Sequence, residues 1–282
     1  MIRAFYYDVV VSVVLYQNSL QTIERLLASF SKTHLSIKVF LIDNSPAPMK
    51  LECGGYTFPV RYHFSGKNLG FGSAHNTILN NALINSKYFL VVNPDIYFND
   101  EDLVLDRLFH FMEEQRHKNV GLAIPKILNP GGSIQYVNKR LPTPAIFFLR
   151  KFLYNYRKLS VVNRALDAYE MREMDFNRKL VCPHVSGCCL FIRREILDRI
   201  GGFDERFFLY FEDTDFSRRV SRVSKAVVVS DVAVYHEWAR GTHRNMLLLG
   251  HTLVSAWKYF HKWGWIFDRE RRRLNRAVTY YE

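Results

Sequence analysis

The stretch Val9–Ser45, VVVSVVLYQNSLQTIERLLASFSKTHLSIKVFLIDNS, decides the fold class. The β-branched run Val9 to Leu15 reads as a strand, apolar residues at helical spacing from Leu20 to Phe30 as a helix, and Ile37 to Asp43 as a second strand. The alternation continues outward, with a helical pattern from Phe71 to Asn85, a strand from Tyr88 to Val92, a helical pattern from Leu103 to Glu114 and a strand from Val120 to Ile124. Further on, Val185 to Ile192 reads as a strand, Arg193 to Ile200 as a short helix, and Ala226 to Val229 and Val232 to Tyr235 as two short strands. Strands alternating with helices imply an α/β fold with a Rossmann-like, mostly parallel sheet.

Each strand of the first half runs into polar residues: Tyr16-Gln17-Asn18, Asp43-Asn44-Ser45 and Asn93-Pro94-Asp95. Ligands of open α/β sheets bind at the carboxyl ends of the strands, so these endings fall on one rim. The same residue types also form ordinary turns. A second polar cluster lies in GGFDERFFLYFEDTDFSRR, Gly201 to Arg219, which places Asp204, Glu212, Asp213 and Asp215 in an otherwise basic chain. Glu212 and Asp213 stand where a helical pattern begins, a position that suits a general base at the mouth of a pocket and equally an acidic helix cap.

The chain has 282 residues, 48% of them hydrophobic, enough for one large α/β domain or two small ones. Its 39 Lys and Arg against 27 Asp and Glu give a net charge of +12, so phosphates, anionic lipid or nucleic acid are attracted to it. Asp8 interrupts the first apolar run and no small-residue cleavage site follows, which favours a strand over a signal peptide. No apolar run reaches the roughly 18 residues of a membrane span, so a soluble or peripheral protein is expected. Cys53, Cys182, Cys188 and Cys189 lack zinc-ligand spacing and read as reduced, buried thiols, the last two pointing to opposite faces if they lie in a strand.

Asn129 to Leu141 reads as a turn and irregular connection, and Pro142 to Lys179, basic and aromatic, as an inserted or lid segment of about residues 142–180. From Ala256 to Arg276, Trp257, Tyr259, Phe260, Trp263, Trp265 and Phe267 alternate with Lys and Arg. That mixture suits an anionic membrane surface, or a terminal helix packing its aromatics on the core. Nucleic acid would use the same residue types but is not favoured, because the cluster sits at one end while the acidic constellation occupies the middle. The division expected is a catalytic domain over 1–240 and a helical, membrane-associating extension over 241–282.

The ordered set VVLYQN (Val13–Asn18), LIDNS (Leu41–Ser45), NLGFGSAHN (Asn68–Asn76), NPD (Asn93–Asp95), SGCCLFIRR (Ser186–Arg194), GGFDERFFLYFEDTDF (Gly201–Phe216) and the late His236 resembles the inverting glycosyltransferases of family 2, with the GT-A fold. Within it, the resemblance is to the rhamnosyltransferase-like branch that builds bacterial surface polysaccharides. It implies a dTDP- or UDP-sugar donor, dTDP-rhamnose first, and a lipid-linked glycan acceptor. Tyr16 would stack on the base and Asp43 would accept the N3–H of uracil or thymine, with Asn18, Asn68, Gly70, Phe71 and Asn93 completing nucleotide binding. Asp95 corresponds to the last acid of the Asp-x-Asp metal motif, whose first acid is Asn93 here, and His236 to the residue that completes coordination of Mg²⁺ or Mn²⁺. Asp213 would be the catalytic base, Glu212 would position it or hold an acceptor hydroxyl, and Asp215 would pair with Arg218 or Arg219. Gly187, Arg240, His243 and Arg244 are expected at the diphosphate or acceptor.

Overall fold

A computed structural model describes residues 7–237 and 246–282. The strands are β1 (Tyr7–Leu15), β2 (Ile37–Asp43), β3 (Val60–Phe64), β4 (Ser86–Val92), β5 (Ile96–Tyr97), β6 (Val120–Leu128), β7 (Leu180–Val181), β8 (Cys189–Arg193), β9 (Lys225–His236) and β10 (Thr279–Tyr280). The helices are α1 (Leu20–Ala28), α2 (Phe71–Leu79), α3 (Val104–Glu113), α4 (Pro144–Phe152), α5 (Ser160–Tyr169), α6 (Arg194–Ile200), α7 (Glu212–Val220), α8 (Met246–Trp263) and α9 (Arg269–Arg276). One sheet runs β10-β7-β9-β6-β8-β4-β1-β2-β3, with β5 paired to β9.

The block β3-β2-β1-β4 is wholly parallel, as the βαβ pattern requires. β8 then enters antiparallel between β4 and β6, while β6 and β9 pair in parallel. Val9, Val11, Val13 and Leu15 enter the core on one face of β1, sealed by Ile23, Leu26 and Leu27 of α1; Val10 enters the other, against Ala74 and Ile78 of α2. Burial on both faces is what makes this strand continuously apolar.

Several boundaries differ from the sequence pattern. β3 was not anticipated, although Val60, Tyr62 and Phe64 alternate with polar residues as a half-exposed edge strand should. α2 stops at Leu79 because the chain turns at Asn80 and Asn81 instead of continuing. The two late strands are one, β9, whose register against β6 jumps between Val229 and Ala233 at a bulge. β8 begins at Cys189, so Cys188 precedes it and both thiols enter the same cluster; all four cysteines are free and all but Cys53 are buried.

The segment 142–180 is largely helical, with α4 capped by the Thr143 hydroxyl and α5 beside it. At the C-terminal end, Tyr259 and Phe260 pack against Phe207 and Phe211, whereas Trp257, Trp265 and Phe267 are exposed. Arg218 of α7 and Asp268, at 1% and 2% exposure, form a bidentate pair at 2.6 and 2.7 Å. β10 then returns to the sheet edge beside β7.

Candidate active site

The chain enters α7 through Tyr210 and Phe211, both left-handed at φ +66° and +68°. Side-chain-bearing residues hold such angles only when the surroundings fix them, and this turn delivers Glu212 and Asp213 into the first turn of α7. There the two carboxylates part. Glu212 is buried and its Oε2 has no hydrogen-bond partner. Asp213, with 22% of its side chain exposed, accepts the Thr214 amide at 2.7 Å on Oδ1 and the Gly187 amide at 3.2 Å on Oδ2, with His184 Nε2 3.5 Å from Oδ2.

Burial, then the neighbouring Asp213 charge, pushes the Glu212 carboxyl well above the usual range. Burial acts on Asp213 in the same direction, but the His184 imidazole and the two amides outweigh it and hold the carboxyl down at about 2. The two neighbours are thus driven in opposite directions, Glu212 toward its neutral form and Asp213 toward its carboxylate. Gly187 makes the approach possible: a Cβ there would stand 3.2 Å from the Phe71 ring and 3.4 Å from Asp213 Cβ.

Asp95 and His236 are brought together by the β5–β9 pairing, in which Ile96 faces His236. His236 Nε2 lies 3.4 Å from Asp95 Oδ1. On its other side, His236 Nδ1 is 3.0 Å from Gln135 Oε1, while Gln135 Nε2 donates to the His236 carbonyl at 2.7 Å. With the Gln135 nitrogen committed to that carbonyl, its oxygen takes the Nδ1 proton, and Nε2 presents a lone pair beside the acid. Carboxylate plus imidazole suits Mn²⁺ or Mg²⁺. Among the described residues no group of three or more His, Cys, Asp or Glu converges to hold an ion; Asp95 and His236 are the two adjacent side chains whose donor types would suit one.

The nucleotide residues expected from the sequence line the strand ends unequally. Tyr16 is half exposed and its amide donates to Asn18 Oδ1 at 2.8 Å. Gln17, at φ +55°, donates its amide to Ser45 Oγ, which ties the ends of β1 and β2. Asp43 is fully buried and accepts the Tyr62 hydroxyl at 2.6 Å, the Ser45 amide at 2.8 Å and the Met49 amide at 3.3 Å. The buried carboxylate has thus recruited the donors around it and organises the loop that follows.

Asn68 Oδ1 accepts the Gly70 amide at 2.9 Å, and Asn44 donates to the Gly70 carbonyl at 3.1 Å. Gly70 has φ +82°, and a Cβ there would lie 2.3 Å from the Phe208 carbonyl oxygen, which also accepts the Phe71 amide. The loop before α2 is thus bonded to the loop before α7. Phe71 places its ring against His75 and Phe203. Asn93 donates its amide to the Cys188 carbonyl at 2.9 Å, next to Gly187. Asp215 pairs with Arg219 and, unforeseen, with Lys262 and the Trp263 indole, not with Arg218. Arg240, His243 and Arg244 lie outside the described residues. Sequence reasoning missed His184, although it stands just before SGCC, and Gln135, which sits in a turn segment with no signal of its own.

A mixed sheet with this rim defines the GT-A class of sugar transferases. The chain belongs to glycosyl transferase family 2, whose sequence profile matches residues 11–201. The chain is 28% identical over 239 residues to an N-acetylglucosaminyl-diphospho-decaprenol L-rhamnosyltransferase of Mycobacterium tuberculosis, covering 79% of this chain and 74% of the relative. In fold it is similar to mannosyltransferase PcManGT from Pyrobaculum calidifontis in complex with GDP-Man and Mn²⁺ (TM-score 0.57, 16% identity, 96% of this chain and 68% of that one). It is also similar to GalNAc-T7 with UDP, GalNAc and Mn²⁺ (TM-score 0.64, 15% identity, 98% and 52%).

Proposed function

We propose that the protein is an inverting glycosyltransferase that moves rhamnose from dTDP-rhamnose to a lipid-linked glycan at the cytoplasmic face of a membrane. The observation that carries the reading is the ionised, partly exposed Asp213 beside Gly187, in a sheet whose strand endings also bring Asp95 and His236 together. The name of the mycobacterial relative supports both the sugar and the diphospho-lipid class of acceptor.

In this reading Asp213 takes the proton of an acceptor hydroxyl as its oxygen bonds to the anomeric carbon, while the bond to the nucleoside diphosphate breaks on the opposite face. Configuration inverts in one displacement. Burial pushes Glu212 toward its neutral form, which limits the negative charge beside the base. Asp95 and His236 would hold a divalent ion, which supplies charge neutralisation for the departing diphosphate. Tyr16 and Asn18 form the exposed edge on which the base lies. The 241–282 segment and the 142–180 insert carry exposed aromatics, Trp257, Phe267, Phe148 and Phe152, that give peripheral contact with the lipid surface.

The test is donor turnover by the purified protein with Mn²⁺ or Mg²⁺ and a membrane lipid extract, scanning dTDP-rhamnose against UDP-sugars. Release of dTDP, lost in Asp213→Asn while nucleotide binding persists, is expected. Turnover of a UDP-sugar alone would replace the donor, and equal turnover by Asp213→Asn would remove the base.

A further inference from the structure

Lys139 lies outside the roles assigned so far. It is 6% exposed, and its ammonium has one hydrogen-bond partner among the described residues, the Val137 carbonyl at 3.1 Å. An ammonium carries three donors, so two N–H directions remain unfilled on a cation taken out of water. No carboxylate lies within ion-pair distance of it among the described residues. The charges that act on it most strongly are Arg150 of α4, Glu170 and Asp213. Neither acid is available to it: Glu170 is held by Arg157 and Arg172 at 2.5 and 2.8 Å, and Asp213 by Gly187, Thr214 and His184. Arg150 likewise has no carboxylate partner among the described residues. Lys139, with Arg150 the strongest charge acting on it, therefore has no carboxylate of its own among the described residues.

The backbone fixes Lys139 in place. The Lys139 amide donates to the His184 carbonyl at 2.9 Å, and Asn138 Oδ1 accepts the Ser186 amide at 3.0 Å, so this strip lies along the segment that supplies His184 and Gly187 to Asp213. We propose that Lys139, with Arg150, forms a phosphate subsite on the acceptor side of Asp213, and that its occupant is the diphosphate of an isoprenoid-linked acceptor. The proposal rests on the transferase reading and sharpens it. The side follows from the displacement itself: base and departing diphosphate act on opposite faces of the anomeric carbon, so an anion site beside the base lies away from the leaving group. Accordingly Asp213, and not Asp95, is among the strongest charges at Lys139. Burial, and then Arg150, push the ammonium down to about 7, and a bound diphosphate would hold it charged.

The test is calorimetric titration of farnesyl diphosphate, farnesol and UDP into wild type, Lys139→Met and Lys139→Arg, with thermal melting as the check on folding. Loss of a charge-assisted contact predicts that Lys139→Met weakens farnesyl diphosphate binding by roughly tenfold or more. Farnesol and UDP should change less than twofold, and Lys139→Arg should retain most of the diphosphate affinity. Lys139→Met should melt no lower than wild type, because a buried amine without a carboxylate partner has been replaced by an apolar side chain of similar length. Weaker UDP binding with farnesyl diphosphate unchanged would assign the cations to the donor and overturn the proposal, as would no effect on any ligand. Binding needs no turnover, so a Lys139-dependent diphosphate site in a protein that transfers no sugar to lipid would leave the subsite standing and remove the transferase reading.

Discussion

At the scale of single residues, the site separates two adjacent acids by environment. Glu212, buried with its Oε2 unpartnered, is pushed toward its neutral form, while two amides and an imidazole keep Asp213 ionised. Gln reproduces a neutral Glu closely, so Glu212→Gln should keep kcat within a few-fold, whereas Asp213→Asn should lower it by about 10² to 10⁴. Steady-state rates of the two variants at one pH decide this, and equal losses would show that Glu212 works as an anion. His75 offers a second reading of burial, since its Nδ1 meets the Ser12 hydroxyl at 2.8 Å, its Nε2 has no partner, and burial lowers its pKa to about 3. Below the ordinary pKa of 6.5 the unfolded chain takes up a proton that the folded protein refuses until about 3. This contribution to stability is therefore whole above 6.5 and declines as pH falls toward 3, by at most about 1.4 kcal/mol per pH unit. Urea unfolding at pH 7.5 and 5.5 should show the decline, with a shallower slope in His75→Gln.

At the scale of elements, α7 carries the proposed base, Asp213, on one end and its anchor on the other. Arg218 is held by Asp268, and its guanidinium lies 4.2 Å from the centre of the Trp263 ring, so α8 and α9 clamp the catalytic helix. Asp268→Asn removes the bidentate partner of a buried guanidinium and leaves it only the Glu270 carboxylate at 2.9 Å, so it should cost about 1.5–3 kcal/mol, read from denaturant midpoints. A loss below about 1 kcal/mol would mean that water reaches Arg218. The sequence made the βαβ block legible because strands buried on both faces must be apolar throughout, and it exposed Asp95, Asp213 and His236 through their motifs. It hid β3, whose edge position leaves only weak alternation, and the union of the late strands across the bulge. It also hid what long-range packing decides: Asp43 looks like a free carboxylate until Tyr62, nineteen residues on, is folded against it. His184 and Gln135 take their meaning from partners 29 and 101 residues away.

For the whole molecule, the distribution of exposed aromatics matters more than the net charge. Among the described residues no helix is long and apolar enough to cross a membrane. Phe148, Phe152, Trp257 and Phe267 are nonetheless exposed, in segments that also carry Lys151, Lys158, Lys258 and Arg269. Replacing these four aromatics with Ser should reduce co-sedimentation with anionic vesicles several-fold while leaving turnover of a water-soluble acceptor unchanged. Retained vesicle binding would shift the contact to the basic residues alone.

The break in register along β9 has a geometrical consequence. Val229 sits opposite Pro125 and Ala233 opposite Lys126, so Ser230, Asp231 and Val232 are surplus to the ladder. Because side chains alternate from face to face, the length of that surplus sets the parity of everything downstream. Shortening it by one residue while the upstream pairing holds would leave β9 a strand but turn the His236 imidazole through the sheet, away from Asp95. The loop of spare residues thus works as a counter: where the His236 imidazole points is written in how many residues the bulge contains.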